Sequence, residues 1–99
     1  MVVALSRFKV ANGLEGSVAQ AFLDRPHLVE GAEGFLGLEV FTAANDASIF
    51  YLHTRWTSES AFRTWHSSHA HHASHVGIPK GLKLDASFTQ VVIMDRLCD

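Results

Sequence analysis

The sequence predicts an α+β domain with the element order βαββαβ: a four-stranded antiparallel sheet with both helices on one face. Three observations predict it. Four stretches alternate apolar and polar residues at the period of a strand, two stretches between them switch to a helical period, and turn-forming residues separate them all. The 99 residues suit one domain, read as 1–99, and 47% of them are apolar, enough for a modest core.

Residues 2–10 (VVALSRFKV) form the first predicted strand, with Ala4, Ser6, Phe8 and Val10 on one side and Val3, Leu5, Arg7 and Lys9 on the other. Asn12-Gly13 ends it. From Leu14 to about Asp24 the spacing of Leu14, Val18, Ala21, Phe22 and Arg25 predicts an amphipathic helix, which Pro26 must end or kink because it lacks an amide hydrogen. Glycines 31 and 34 mark a loop. Residues 35–43 are the second strand, residues 44–47 a hairpin turn, and residues 48–56 the third strand. Ser58 is a candidate N-cap, with Glu59 at the positive end of the dipole of a second helix that runs to about His75. Gly77, Pro79 and Gly81 form a loop, and residues 86–96 are the last strand. This order is the split βαβ, or ferredoxin-like, pattern.

Alternation makes both sheet faces apolar. Strand two has Phe35 and Phe41 on one side against Leu36, Leu38 and Val40, and strand four has Phe88, Val92 and Met94 against Val91 and Ile93. Two helices cover one face, so the other needs a partner, and a homodimer packed sheet to sheet is expected.

Composition narrows the function. A net charge of −2 gives no electrostatic reason to expect nucleic acid or an anionic membrane. No apolar run approaches the ~20 residues of a membrane span, and the first residues lack the features of a signal peptide. The single cysteine, Cys98, forms no internal disulfide, so a cytoplasmic location is expected. Being near the chain end, it is a poor nucleophile candidate.

Histidine is the unusual feature: of seven, five (His66, His69, His71, His72, His75) fall within ten residues. His71 with His75 and His69 with His72 have helical spacing, yet no HExxH and no nearby cysteine is present. A catalytic or closed structural zinc site is therefore not expected, and most of these histidines read as a solvated face. Trp65 and His75 are ten positions apart, ~80° off a common direction on one helix, so they can border one cleft. An imidazole near the helix end beside a large flat indole suits a planar metal-bearing cofactor; the plain alternative is a core tryptophan and a surface histidine. Ser6 would put a hydroxyl among the apolar side chains of its face.

Across nearly its whole length the sequence resembles the antibiotic biosynthesis monooxygenase (ABM) domain family. The resemblance rests on Glu33-Gly34-Phe35-Leu36-Gly37 and on the segment from Arg55-Trp56-Thr57-Ser58 through Ala61-Phe62 to Thr64-Trp65. This pattern identifies fold better than activity. Trp65 and Ala73-Ser74-His75-Val76 are similar to the heme-degrading, IsdG-type branch. That resemblance implies His75 as the ligand of heme iron and Trp65 pressing on the porphyrin; Phe22 and Phe62 are further candidates for lining the cofactor pocket. It further implies heme as both cofactor and substrate, with molecular oxygen and an external electron donor, and a reaction that opens the ring and frees iron. Where the family shows Asn followed by Arg on strand one, this chain has Ser6-Arg7. Serine also donates a hydrogen bond, from a shorter side chain, so the departure bears on oxygen activation more than on heme binding. Lys80 and Lys83 are candidates for neutralising the heme propionates. Two other readings are a cofactor-independent ABM monooxygenase acting on a polycyclic aromatic substrate, with Trp65, Phe22, Phe62 and Tyr51 lining its pocket, and a non-enzymatic domain binding heme or a small aromatic ligand.

Overall fold

The computed structural model describes residues 1–73, 75 and 77–99. Strand β1 is Val2–Lys9 and helix α1 is Glu15–Leu23; a 3-10 turn at Val29–Gly31 leads into β2, Phe35–Ala43. Strand β3 is Asp46–Trp56, followed by helices α2, Glu59–His66, and α3, His69–Ala73, and by β4, Gln90–Asp95. All pairings are antiparallel, in the spatial order β2-β3-β1-β4. This is the ferredoxin-like arrangement that the sequence predicts.

Four differences from the expected elements have local causes. The helix expected from Ser58 to about His75 breaks after His66. Ser67 Oγ donates back to the carbonyls of Arg63 (3.0 Å) and Thr64 (3.3 Å), and Ser68 Oγ to that of Trp65 (2.6 Å). Ser68 Oγ then accepts from the His71 amide at 3.1 Å and so caps α3. The last strand starts at Gln90 rather than residue 86, because Asp85 accepts from both the amide and the hydroxyl of Ser87 and its carbonyl holds the Phe88 amide in a turn. The second strand does not place Phe35 and Phe41 on one side. Its register shifts between Phe35 and Gly37, leaving Leu36 as the extra residue of a bulge, so Phe35 joins Leu38 and Val40 while Phe41 points the other way. The hairpin turn is shorter than expected, with Ala43 already opposite Asp46.

Gly34 fixes how the loop meets α2. Its φ is +82°, and a Cβ there would stand 2.6 Å from both the Ala61 methyl and the Thr57 hydroxyl.

The helix-covered face carries two separate clusters. At one end Val2, Ala4, Val29, Trp56 and Phe62 are buried, with Trp56 fully enclosed between the edge-on rings of Phe35 and Phe62. At the other end Val10, Val18 and Phe50 are buried, and Phe8, Phe22 and Phe50 pack ring against ring. The opposite face leaves Phe41 (49% exposed), Val92 (38%) and Met94 (39%) uncovered.

Candidate functional site

Between the two clusters lies a row of cross-strand neighbours, Leu52, Ser6 and Val91, that belongs to neither. Ser6 and Leu52 are half-buried and Val91 is 47% exposed. The register puts Ser6 beside Phe8 and Ala4 on the helix-covered side, so its hydroxyl stands in an apolar row of the sheet between the two clusters. Phe22 is the rim of one cluster, and Trp65 packs on the edge of the other. Both are half-buried. Phe62, 7% exposed, lies deeper, in the core beneath His66. Tyr51 is on the other side of the sheet, opposite Arg7 and Phe41, and cannot line a pocket with Phe22.

The histidine segment runs from α2 toward α1. His75 follows α3 in a turn, its amide bonded to the His72 carbonyl at 3.2 Å. Two residues on, Gly77 abuts Ala21 of α1. Ser74 and Val76 of the heme-type motif lie outside the described residues. Since α2 and α3 are separate helices, a single helical wheel does not relate Trp65 to His75. The imidazole against Trp65 is that of His71, edge-on with ring centres 5.7 Å apart. His71 meets His66 at 4.7 Å and His75 at 4.5 Å, the latter edge-on at 75°.

Partial burial, reinforced by the neighbouring imidazoles of His75, His66 and His72, lowers the His71 pKa to about 4, against a hydrogen bond with the His66 backbone that favours its charged form. Desolvation and the charges of His72 and His66 also lower that of His75. Both rings are therefore pushed toward the neutral form, the state in which imidazole ligates a metal. Sequence reading missed the place of His71. The signal was Ser68-Ser67 at mid-helix, with Ser68 three residues before His71 as an N-cap must be. Lys80 and Lys83 are both exposed, the latter tied through its backbone to Asn12 and Ala11.

Residues 1–76 match the antibiotic biosynthesis monooxygenase family. The chain belongs to the ABM family. Over 80 residues it is 30% identical to the mycobilin-producing heme oxygenase of Mycobacterium tuberculosis, covering 79% of this chain and 76% of that one. Among solved structures of the ABM fold, it superposes on the heme degrader MhuD of Mycobacterium tuberculosis, with two hemes in its active site, at a TM-score of 0.78 and 23% identity over 100% of this chain and 98% of that one. SnoaB, a cofactor-independent oxygenase of Streptomyces nogalater, superposes at 0.77 with 14% identity over 99% and 94%.

Proposed function

We propose that this chain binds heme over the Ser6 strip and opens the macrocycle oxidatively, releasing iron. The observation that carries the reading is the half-buried row of Leu52 and Ser6 with the exposed Val91 between the two buried clusters, Phe22 packing on one cluster and Trp65 on the other. The 30% identity to a heme oxygenase supports the same reading. The donor set fits: an imidazole for iron, an indole plane for the ring and an apolar floor. Bound heme supplies both the iron and the carbon framework to be oxidised, with dioxygen and an external electron donor as co-substrates.

The roles of the chain's own groups follow from position. His75 holds the iron. Trp65, fixed on the edge of the Trp56 cluster, presses on the ring from the side of α2, and Phe22 limits it on the side of α1. Phe62 supports this wall from within the core. Ser6 offers its O–H from the sheet, between Leu52 and Val91. Stoichiometric titration of hemin, followed by ascorbate in air, tests the reading. A saturable Soret band at one heme per chain that is lost or shifted in His75→Ala, and that decays on reduction in air, is expected. A band that persists unchanged would remove the reaction, and no specific band would turn the reading toward a cofactor-independent oxygenase.

The active form in this reading is a homodimer through the bare sheet face. Besides its apolar side chains, that face holds Arg55, laid across Gly37, and His53. Arg55 Nε is closed to solvent without a hydrogen-bond partner among the described residues, and His53 Nδ1, also closed, has the Glu39 carboxylate 4.0 Å away, beyond hydrogen-bond distance. Such atoms are costly unless a partner surface satisfies them. Sedimentation should give a dimer, and Phe41→Glu should give a monomer that keeps its fold; a monomeric native chain at micromolar concentration rejects the interface.

A further inference from the structure

Two residues of the proposed heme site, Trp65 and His75, are joined through a third. The ring of His71 stands edge-on to Trp65 at 5.7 Å and edge-on to His75 at 4.5 Å, with interplanar angles of 70° and 75°. His71 is itself anchored. Its amide is held by Ser68 Oγ at 3.1 Å, its ring lies against His66 at 4.7 Å, and it is half-buried, whereas His75 is exposed in a turn beyond the end of α3. Ser68 in turn donates to the carbonyl of Trp65, so the residue that carries the indole also carries the cap of the helix that carries His71. Fixing the two side-chain torsions of an imidazole in a turn costs entropy that a ligand site must offset when the metal arrives. A rigid ring 4.5 Å away removes part of that freedom in advance.

We propose that His71 is a positioning residue: wedged between Trp65 and His75, it sets the direction of the His75 imidazole and couples it to the indole that presses on the porphyrin. The wedge acts through ring shape, so an aromatic ring without nitrogens should serve in its place. This rests on the heme reading for its consequence, but the wedge itself is a property of the ligand-free chain.

The test compares His71→Ala and His71→Phe with the native chain. Alanine is a better helix former than histidine, so α3 is not weakened at that position, and far-ultraviolet circular dichroism confirms the fold. In the ligand-free proteins, side-chain couplings of His75 read by nuclear magnetic resonance should show one rotamer in the native chain and in His71→Phe, and averaging in His71→Ala. With hemin, His71→Ala should bind about tenfold more weakly, the usual size of a loss of support around a metal ligand. Its low-temperature electron paramagnetic resonance should broaden, and His71→Phe should restore both. A His75 ring that keeps one rotamer in His71→Ala overturns the wedge. Loss of the histidine-ligated spectrum in both His71 variants but not in His75→Ala also overturns it, because His71 would then be the ligand itself. A native chain that does not bind hemin rejects the heme reading, while the ligand-free couplings still decide the wedge.

Discussion

The helix-covered face of the sheet is closed at one end and open in its middle, on adjacent residues of the same strands. At the closed end, Ala4 and Trp56 are fully buried and the rings of Phe35 and Phe62 meet Trp56 edge-on at 5.4 and 5.9 Å. Further along the same strands, Leu52 and Ser6 face the same side but are only half-buried, and Val91 beside Ser6 is 47% exposed. The difference lies in what the helices bring. α2 directs Phe62 onto Trp56, whereas α1 stops at Leu23 ahead of Pro26 and reaches only the Phe8 end. That middle row of the sheet is thus less buried than the end, and in the heme reading stability and ligand binding fall to different residues of one face.

The largest effect that sharpens this contrast is on stability. Trp56→Ala removes a fully enclosed indole from between two rings and should destabilise the fold by roughly 3–5 kcal/mol. Leu52→Ala, two strand steps away, should cost less, about 1–2 kcal/mol, because that side chain is half-buried rather than enclosed. Urea denaturation of both variants decides the matter. Equal losses would mean that the strip is as tightly filled as the cluster and that no ligand space lies there.

Next in size is the effect of the hydroxyl in the strip. Ser6→Ala should leave stability within about 0.5 kcal/mol of native, as expected for a side chain outside the packed clusters. It should leave hemin affinity little changed but slow the ascorbate-driven decay of the Soret band about tenfold, the worth of one hydrogen bond to a developing charge. Ser6→Asn, with a longer reach, should decay at least as fast as native. Decay of Ser6→Ala at the native rate would show that the strip contributes space and no chemistry.

What the sequence made legible follows the same division. The closed end was readable because period-two alternation across β1 and β3 forces Val2, Ala4 and Trp56 onto one side, and Ser58 capped α2 as its type and place suggest, accepting from Ala61 at 3.2 Å. The matching place of Ser6 followed from the same parity, which also excludes Tyr51. The site's other wall was harder to read. Serine is nearly neutral in a helix, so Ser67-Ser68 gives no strong breaking signal, yet their back-bonding to Arg63, Thr64 and Trp65 divides the helix and substitutes His71 for His75 beside the indole. Bulges are likewise invisible to alternation, which is why Phe35 and Phe41 were expected on one side.

The smallest effect concerns the histidine cluster beside Trp65. His71 has a pKa near 4 when folded, against 6.5 for an ordinary histidine, through desolvation first and then the charges of His75, His66 and His72. Between those values the unfolded segment binds more protons than the folded one. The contribution to stability is therefore complete above pH 6.5, falls as the solution is acidified toward pH 4, and levels off below. The lowered pKa of His75 acts in the same direction. Because these rings are partly exposed and α3 has only five residues, the loss should be local: amide protection in α3 should decline across that window while that of β1 and β3 stays constant. His71→Phe carries no titrating ring at that position and should flatten the profile. A parallel decline in the native chain and His71→Phe would assign the acid sensitivity to other groups, and a simultaneous decline in β1 would mean that the wall and the closed end of the sheet open as one unit.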